Sequence, residues 1–210
     1  MKDLENQLKE LTELKSLYDL FTSGQHLTRV AHPALWAAFE RGQEGYKAVF
    51  SALGYELVVD GRSYAWFEPT ETSTPTGKKS KALALLFMCI FNTQADHGES
   101  VDRFTHWRID ETFLATCYMA HQDILGDEGI TQADFIRLLD MTVKYGFARR
   151  QMGYWELLPS VSRYLDHFEA LASHRDNEQL SAQEPTLMSE DGDSHLQEGF
   201  IYDIEDEEIA

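Results

Sequence analysis

The residue types that most often act in catalysis or bind metals are scattered along this sequence. His121 and His167 each lie two positions before a carboxylate, at Asp123 and Glu169. On a helix such pairs point to different faces, because only residues three or four positions apart are neighbours. We therefore do not expect metal ligation at these pairs. The other six histidines are spread along the chain, at His26, His32, His97, His106, His174 and His195.

Motifs that hold cofactors or nucleophiles are also missing from the sequence. There is no glycine-rich phosphate loop and no Walker lysine. The segment 123–134 has the length of a calcium loop, but Leu125 occupies its third position and Gly129 its seventh rather than its sixth. Cys89 and Cys117 lie in apolar runs without a histidine to activate them, which is typical of buried free thiols. We predict a protein without catalytic activity, cofactor or metal.

Seven basic residues are the candidates for binding phosphate groups. Taken singly, each is better explained as an ordinary solvated charge. Taken together, they form the surface best suited to a DNA backbone. They lack the dense Arg, Asn and Gln side chains that read base edges, so we expect contacts that are not sequence-specific. The candidates are Lys78, Lys79, Lys81, Arg137, Lys144, Arg149 and Arg150.

The charge of the chain limits what this basic set can do alone. The formal net charge is −18 over 210 residues. Residues 175–210, the acidic tail, contain twelve Asp or Glu and one Arg, a balance of −11, which leaves −7 for residues 1–174. A body of this sign does not bind nucleic acid through bulk charge. DNA binding would require a local basic patch or a partner that supplies positive charge.

The stretch 130–159 predicts the elements that carry four of these basic residues. Thr131 begins a helical pattern that Gly146 ends, and two strand-like segments, 147–151 and 154–158, follow around a Met152-Gly153 turn. A helix predicted over 111–125 precedes them. Helix, turn, helix and hairpin form the layout of a winged helix.

A similar order of elements occurs earlier in the chain. The helical segment 46–53 is followed by Gly54, and two strand-like segments, 55–59 and 63–67, flank an Asp60-Gly61 turn. A brief strand is expected at 26–29. We predict an α+β, predominantly helical protein with two tandem winged-helix domains and an acidic tail without fixed structure. Two unrelated hairpins in one α+β domain are the alternative interpretation.

We divide the chain on this basis into four parts. Residues 1–77 form the N-terminal winged-helix domain, and residues 110–174 form the C-terminal one. Between them, 78–109 contains a helix that is apolar nearly all round, which we expect between the two domains or at a subunit interface. Residues 175–210 form the acidic tail. A helix that we expect over 161–173 ends the second domain.

Two segments are candidates for binding partner proteins. A helix predicted over 3–22 carries an apolar stripe at helical spacing, and the tail carries apolar residues beside a block of acid, as short linear motifs do. Packing on its own domain is the alternative for the stripe, and a solvated segment is the alternative for the tail. The candidate partner-binding residues are Leu11, Leu14, Tyr18, Phe21, Phe200, Ile201, Tyr202 and Ile204.

No signal peptide or membrane-spanning segment is expected. The charged N-terminus is unlike a signal sequence. The longest apolar run, 82–91, is far shorter than the roughly 20 residues that a membrane span needs. We expect a soluble, cytoplasmic protein.

Four segments resemble a known family: Thr22-Ser-Gly-Gln-His-Leu-Thr-Arg29, His32-Pro-Ala-Leu35, the stretch 46–59 and Tyr64-Ala-Trp-Phe67. They are similar to the MksE branch of the MukE-like condensin subunits, which are kite proteins built from tandem winged helices. The resemblance extends over about residues 10–170 and does not include the acidic tail.

The resemblance implies a non-catalytic subunit of a bacterial SMC complex. Such subunits dimerise, bind the central region of a kleisin and join it to an SMC ATPase. The complexes organise the chromosome at the nucleoid or, in related defence systems, act on plasmid DNA. Family members contact DNA within the assembled complex, a role that would fall here on the seven basic residues.

Two other classes of function are alternatives to the condensin subunit. A winged-helix transcription regulator would use the helix 131–145 to read DNA, but Gln132, Arg137 and Lys144 are too few for base recognition, and the chain is acidic. The only support for a small metalloenzyme is the set of scattered histidines. Neighbouring genes for a kleisin-like protein and a long coiled-coil ATPase would favour the condensin interpretation.

Overall fold

The structure is a computed structural model that describes residues 11–68 and 77–181, with side chains for 11–68 and 79–173. We refer to residues 11–68 as the first unit and to residues 77–181 as the second unit. The described chain is predominantly helical with two small antiparallel sheets, which confirms the predicted α+β class.

The first unit begins with helix α1 and ends with a hairpin. Its three-stranded sheet has the order β1-β3-β2, and β1 pairs through Leu27 with Ala65 of β3. The short strand expected at 26–29 is therefore present. The elements are α1 (Leu14–Thr22), β1 (Leu27–Thr28), α2 (Pro33–Arg41), α3 (Gln43–Ala52), β2 (Glu56–Asp60) and β3 (Tyr64–Glu68).

The turn of the first hairpin lies where the Asp60-Gly61 pair predicted it. Its geometry differs, because the loop has three residues, 61–63, and Ser63 takes the left-handed conformation with φ of 67°. The Arg62 backbone N–H donates to Asp60 Oδ1 at 2.7 Å, which fixes the loop. This arrangement directs the Arg62 side chain toward the second unit.

The second unit contains the long apolar helix, three further α-helices, a hairpin and a final helix. Helix α4 packs against α5 and α7 and contributes Leu86, Phe87 and Ile90 to the second core. The elements are α4 (Gly77–Asp96), a 3-10 helix (Val101–His106), α5 (Glu111–Ala120), α6 (Gln122–Asp127), α7 (Gln132–Lys144), β4 (Ala148–Gln151), β5 (Tyr154–Leu157), a 3-10 turn (Pro159–Val161) and α8 (Ser162–Ser181).

Local sequence signals explain the bounds of α7 and of the second hairpin. The Thr131 hydroxyl accepts from the Asp134 N–H, and the Asp134 carboxylate accepts from the Thr131 N–H, a complete capping box. Gly146 follows α7 with φ of 74°, and Gly153 turns the hairpin with φ of 83°. Tyr154 pairs with Gln151 directly across that turn. The predicted helix and hairpin are both confirmed.

Two predicted helices have different bounds in the structure. The helix expected over 111–125 is interrupted at His121, and the separate short helix α6 places Leu125 fully inside the second core. The last helix continues to Ser181 instead of ending near Ser173. Of the helix expected over 3–22, residues 3–10 lie outside the described residues, residues 12 and 13 form a turn, and the described helix begins at Leu14.

Candidate functional site

Several of the seven basic candidates are paired with carboxylates, so they do not form a purely basic patch. Lys81 lies 2.7 Å from Glu128, and Arg137 lies 3.6 Å from Asp134. Lys79 is half-buried, and the side chain of Lys78 is outside the described part. Lys81 and Arg137 are therefore each paired locally with a carboxylate.

The second hairpin and α7 bring some of the candidates together. Arg150 on β4 lies 3.5 Å from Asp140 on α7 and stacks over the Trp155 ring at 5.0 Å. Arg149 points to the other face, as alternation along a strand predicts, and pairs with Glu156 at 2.6 Å. Lys144 is exposed at the end of α7. Each hairpin arginine thus reaches solvent with a carboxylate beside it.

The N-terminal partner-binding candidates lie on the first core. Leu11 and Phe21 are buried, with Leu11 against Gly42 and Gly45, so they offer no surface to a partner. Tyr18 is half-buried and meets the Tyr55 ring edge-on at 5.7 Å. Leu14 is also half-buried. The four tail candidates, Phe200, Ile201, Tyr202 and Ile204, lie outside the described residues.

A buried junction between the two units is the most organised polar site of the described chain. His26, immediately before β1, is completely buried. Its backbone N–H donates to the Tyr145 carbonyl oxygen at 3.0 Å, and its Nδ1 lies 3.0 Å from the same oxygen. Its Nε2 lies 3.0 Å from Nη1 of Arg163 on α8. Because arginine only donates, Nε2 accepts and the proton of the neutral ring lies on Nδ1.

Arg163 completes this junction from the second unit. The guanidinium lies 4.1 Å from the centroid of the Trp66 ring and 3.6 Å from Glu68, both on β3. Trp66 Nε1–H donates to Glu68 Oε2 at 2.6 Å, which holds that carboxylate in place. Burial lowers the pKa of Arg163 to about 10, so the group stays charged at neutral pH. One buried cation therefore joins an imidazole, an aromatic face and a carboxylate of the first unit.

A second contact between the units lies at the surface. Arg62 donates to Asp166 of α8 at 2.8 Å and to both carboxylate oxygens of Asp60. The hydrogen bonds from Arg62 lower the pKa of Asp60. The Arg62 side chain is 43% exposed, so water screens this pair far more than the buried one.

Sequence reasoning missed His26, Trp66 and Arg163 as a site. In the sequence His26 is one of eight scattered histidines, and no motif marks Arg163 as its partner. The partners lie 119 and 137 positions apart, so no local spacing signals them. The sequence gives one partial signal, Gly146, which it marks as the end of a helix. In the structure this glycine, with its left-handed backbone, also permits the close approach of the His26 carbonyl.

The junction predicts that the protein loses stability in mild acid. Burial, and secondly the Arg163 charge, hold the pKa of His26 well below its ordinary value of 6.5. Below pH 6.5 the unfolded chain binds a proton that the folded chain does not, so stability is complete above that pH and falls below it. Between pH 7.5 and 5.5 we expect His26 to account for a loss of about 1 kcal/mol.

The measurement is urea unfolding at both pH values for the wild type, His26→Gln and His106→Gln. His26→Gln should be less stable but should lose less stability between the two pH values. His106 is exposed, so its replacement should leave the difference unchanged. An equal pH dependence in all three proteins would contradict the proposed role of His26.

The two cysteines are the other candidate chemical groups of the described residues. Cys89 and Cys117 are buried free thiols, as expected, and burial raises their pKa values to about 12 and about 11. Within 11–68 and 77–181, no three His, Cys, Asp or Glu side chains come together as metal ligands. Of the helices in these ranges, none has the length and apolar character to span a bilayer.

Fold and site together define an α+β protein whose two hairpin-bearing helical units are fixed by a buried polar junction. The model of one protein family, described as condensin complex protein MksE, matches residues 12–169, which include the junction and most of both units. The chain therefore belongs to the MksE family of condensin complex proteins. No curated protein matched the sequence.

Proposed function

We propose that the chain is a non-catalytic subunit of a bacterial SMC complex, in which it joins a kleisin to the SMC ATPase and helps hold DNA. The observation that carries this proposal is the family match, which extends continuously across residues 12–169. Whether the complex acts on the chromosome or on plasmid DNA is decided by its partners. A location at the nucleoid follows from this role.

We further propose that both units are winged helices. In the first unit the order is α1, β1, α2, α3 and the hairpin β2-β3. In the second unit Ile109 pairs with Trp155 of β5 through two hydrogen bonds of 2.8 and 3.0 Å, as β1 pairs with β3. The second order is then α4, Ile109, α5, α7 and the hairpin β4-β5. This parallel supports a second domain that begins with α4 rather than after residue 109.

DNA contact would depend on the assembled complex. The carboxylates Asp134, Asp140 and Glu156 each pair with a candidate arginine, and residues 1–174 carry a net charge of −7. An approaching phosphate must compete with these carboxylates, so the isolated chain should bind DNA weakly or not at all. Partners that contribute positive charge would remove this limit.

The same contacts argue against a transcription regulator. A recognition helix presents unpaired polar side chains to base edges. Arg137 of α7 is instead held by Asp134, and Asp140 of the same helix faces Arg150. Because these charged side chains of α7 are already paired, few groups on the helix remain to contact base edges.

The experiment that tests the proposal is affinity purification of the tagged protein from its host at moderate salt, followed by mass spectrometry. We expect recovery of a long coiled-coil ATPase and a kleisin, with an untagged strain as the control. Recovery of neither, together with enrichment at a single promoter, would contradict the condensin role and favour the regulator.

We also expect a homodimer that forms through the first unit. Leu14 and Tyr18 keep part of their surface exposed on α1, whereas Leu11 and Phe21 are used by the core. Light scattering at tens of micromolar should give the mass of two chains, and Leu14→Glu should give one. Ser16→Glu, an exposed position on the same helix, is the matched control. A monomeric wild-type protein would contradict this prediction.

A further inference from the structure

An open groove of about 420 Å³ lies where the second hairpin meets the first unit. Val30 comes from the first unit and is 47% exposed although it is apolar. The second unit contributes the start of the loop before α5, one face of the hairpin and the residues that follow it. The residues on which the groove depends are Val30, Arg108, Arg149, Glu156, Leu158 and Pro159.

The groove is positively charged within an acidic protein. Arg149 is balanced by Glu156 at 2.6 Å. Arg108 is exposed, contacts the Tyr154 ring at 5.2 Å and forms no ion pair with the described residues. Two arginines and one glutamate leave a local excess of positive charge, while residues 1–174 together carry −7. An acidic peptide is repelled by most of this body and attracted to this groove.

The chain itself contains a peptide of matching chemistry. Residues 200–208 read Phe-Ile-Tyr-Asp-Ile-Glu-Asp-Glu-Glu, with four apolar side chains beside five carboxylates. We propose that this segment docks in the groove, with its aromatic and aliphatic side chains on Val30 and Pro159 and its carboxylates on Arg108 and Arg149. The docked segment would cover these arginines and exclude other anionic ligands from them. The proposal does not depend on the condensin role.

The length of the chain permits this docking within one molecule. Helix α8 starts at Ser162, next to Pro159 of the groove, and its 20 residues carry the chain about 30 Å away. The residues between Ser181 and Phe200 can span roughly 60 Å when extended. The segment can therefore return along α8 to the groove with length to spare.

The test uses the full chain with a spin label on a cysteine introduced by Ala210→Cys. The two native thiols are buried, so the label should attach at residue 210 alone. We expect paramagnetic loss of NMR signal at Val30, Leu158 and Arg108. The same loss should disappear in Arg108→Glu and in the double variant F200S/Y202S.

Arg41→Glu is the matched control, because Arg41 is also exposed, forms no ion pair with the described residues and lies outside the groove. It should keep the loss of signal. Loss that is absent from the groove, or that persists in Arg108→Glu and F200S/Y202S, would overturn the proposal. Loss that persists when isotope-labelled chains without the spin label are mixed with unlabelled chains that carry it would assign the segment to a second copy and overturn docking within one molecule.

Discussion

Replacement of Gly146 by alanine should destabilise the protein by about 3 kcal/mol or more, through two additive effects. Gly146 has φ of 74°, where a side chain is strained. A Cβ at this position would also lie 2.6 Å from the carbonyl oxygen of His26, which is backbone and cannot move without breaking the bond between His26 N–H and Tyr145. Gly146→Ala should therefore separate the two units as well as strain the turn.

Gly153→Ala is the matched control for this prediction. Gly153 has φ of 83°, close to that of Gly146, but a Cβ there meets nothing within 4 Å. We expect it to cost about 1 kcal/mol, from backbone strain alone. Urea unfolding of both variants measures the difference. If both variants lose the same free energy of unfolding, the contact between the added Cβ and the His26 carbonyl does not add to the cost of Gly146→Ala.

Arg163→Met should cost about 2–4 kcal/mol. The substitution keeps an unbranched apolar chain beside Trp66 but removes the donor to His26 and the charge facing Glu68. His26 Nε2 then loses its donor at a completely buried position. Glu68 keeps the hydrogen bond from Trp66 Nε1 and is partly exposed, so its loss is smaller. This loss is larger than a surface ion pair produces.

Arg62→Met provides the comparison, because Arg62 also reaches from one unit to the other. The Arg62 and Asp166 side chains are 43% and 52% exposed, although that of Asp60 is 20% exposed, so we expect a loss below about 1 kcal/mol. Raised salt should weaken the Arg62 contribution and leave that of Arg163 almost unchanged. If the two substitutions cost the same at low salt, the buried junction would not be the main link between the units.

Local signals in the sequence were sufficient for the elements that build this fold. Thr131 with Asp134 marked the start of α7, Gly146 marked its end, and Gly153 marked the second hairpin turn, because each acts through its immediate neighbours. The two hairpins followed from strand-like residues on either side of turn residues. The break at His121 had no such signal, since it serves the burial of Leu125 in a distant core.

The candidate surfaces were harder to predict, because exposure and pairing depend on tertiary contacts. The spacing of Leu11, Leu14, Tyr18 and Phe21 identified an apolar stripe but could not distinguish a partner from the chain's own core. The basic candidates were found by residue type, whereas Asp140 and Glu156, which neutralise two of them, become neighbours only through helix and strand packing.

The junction can form only late in the synthesis of the chain. The first unit is complete at Glu68, but Arg163 is made about 95 residues later. At a translation rate of 5–20 residues per second, the face formed by Tyr64 and Trp66 stays uncovered for roughly 5–20 s until Arg163 has been made. During that interval a newly made first unit presents an aromatic surface to chaperones and to other nascent chains. Slow codons between these positions would lengthen the exposure, and misassembly during translation should increase with it.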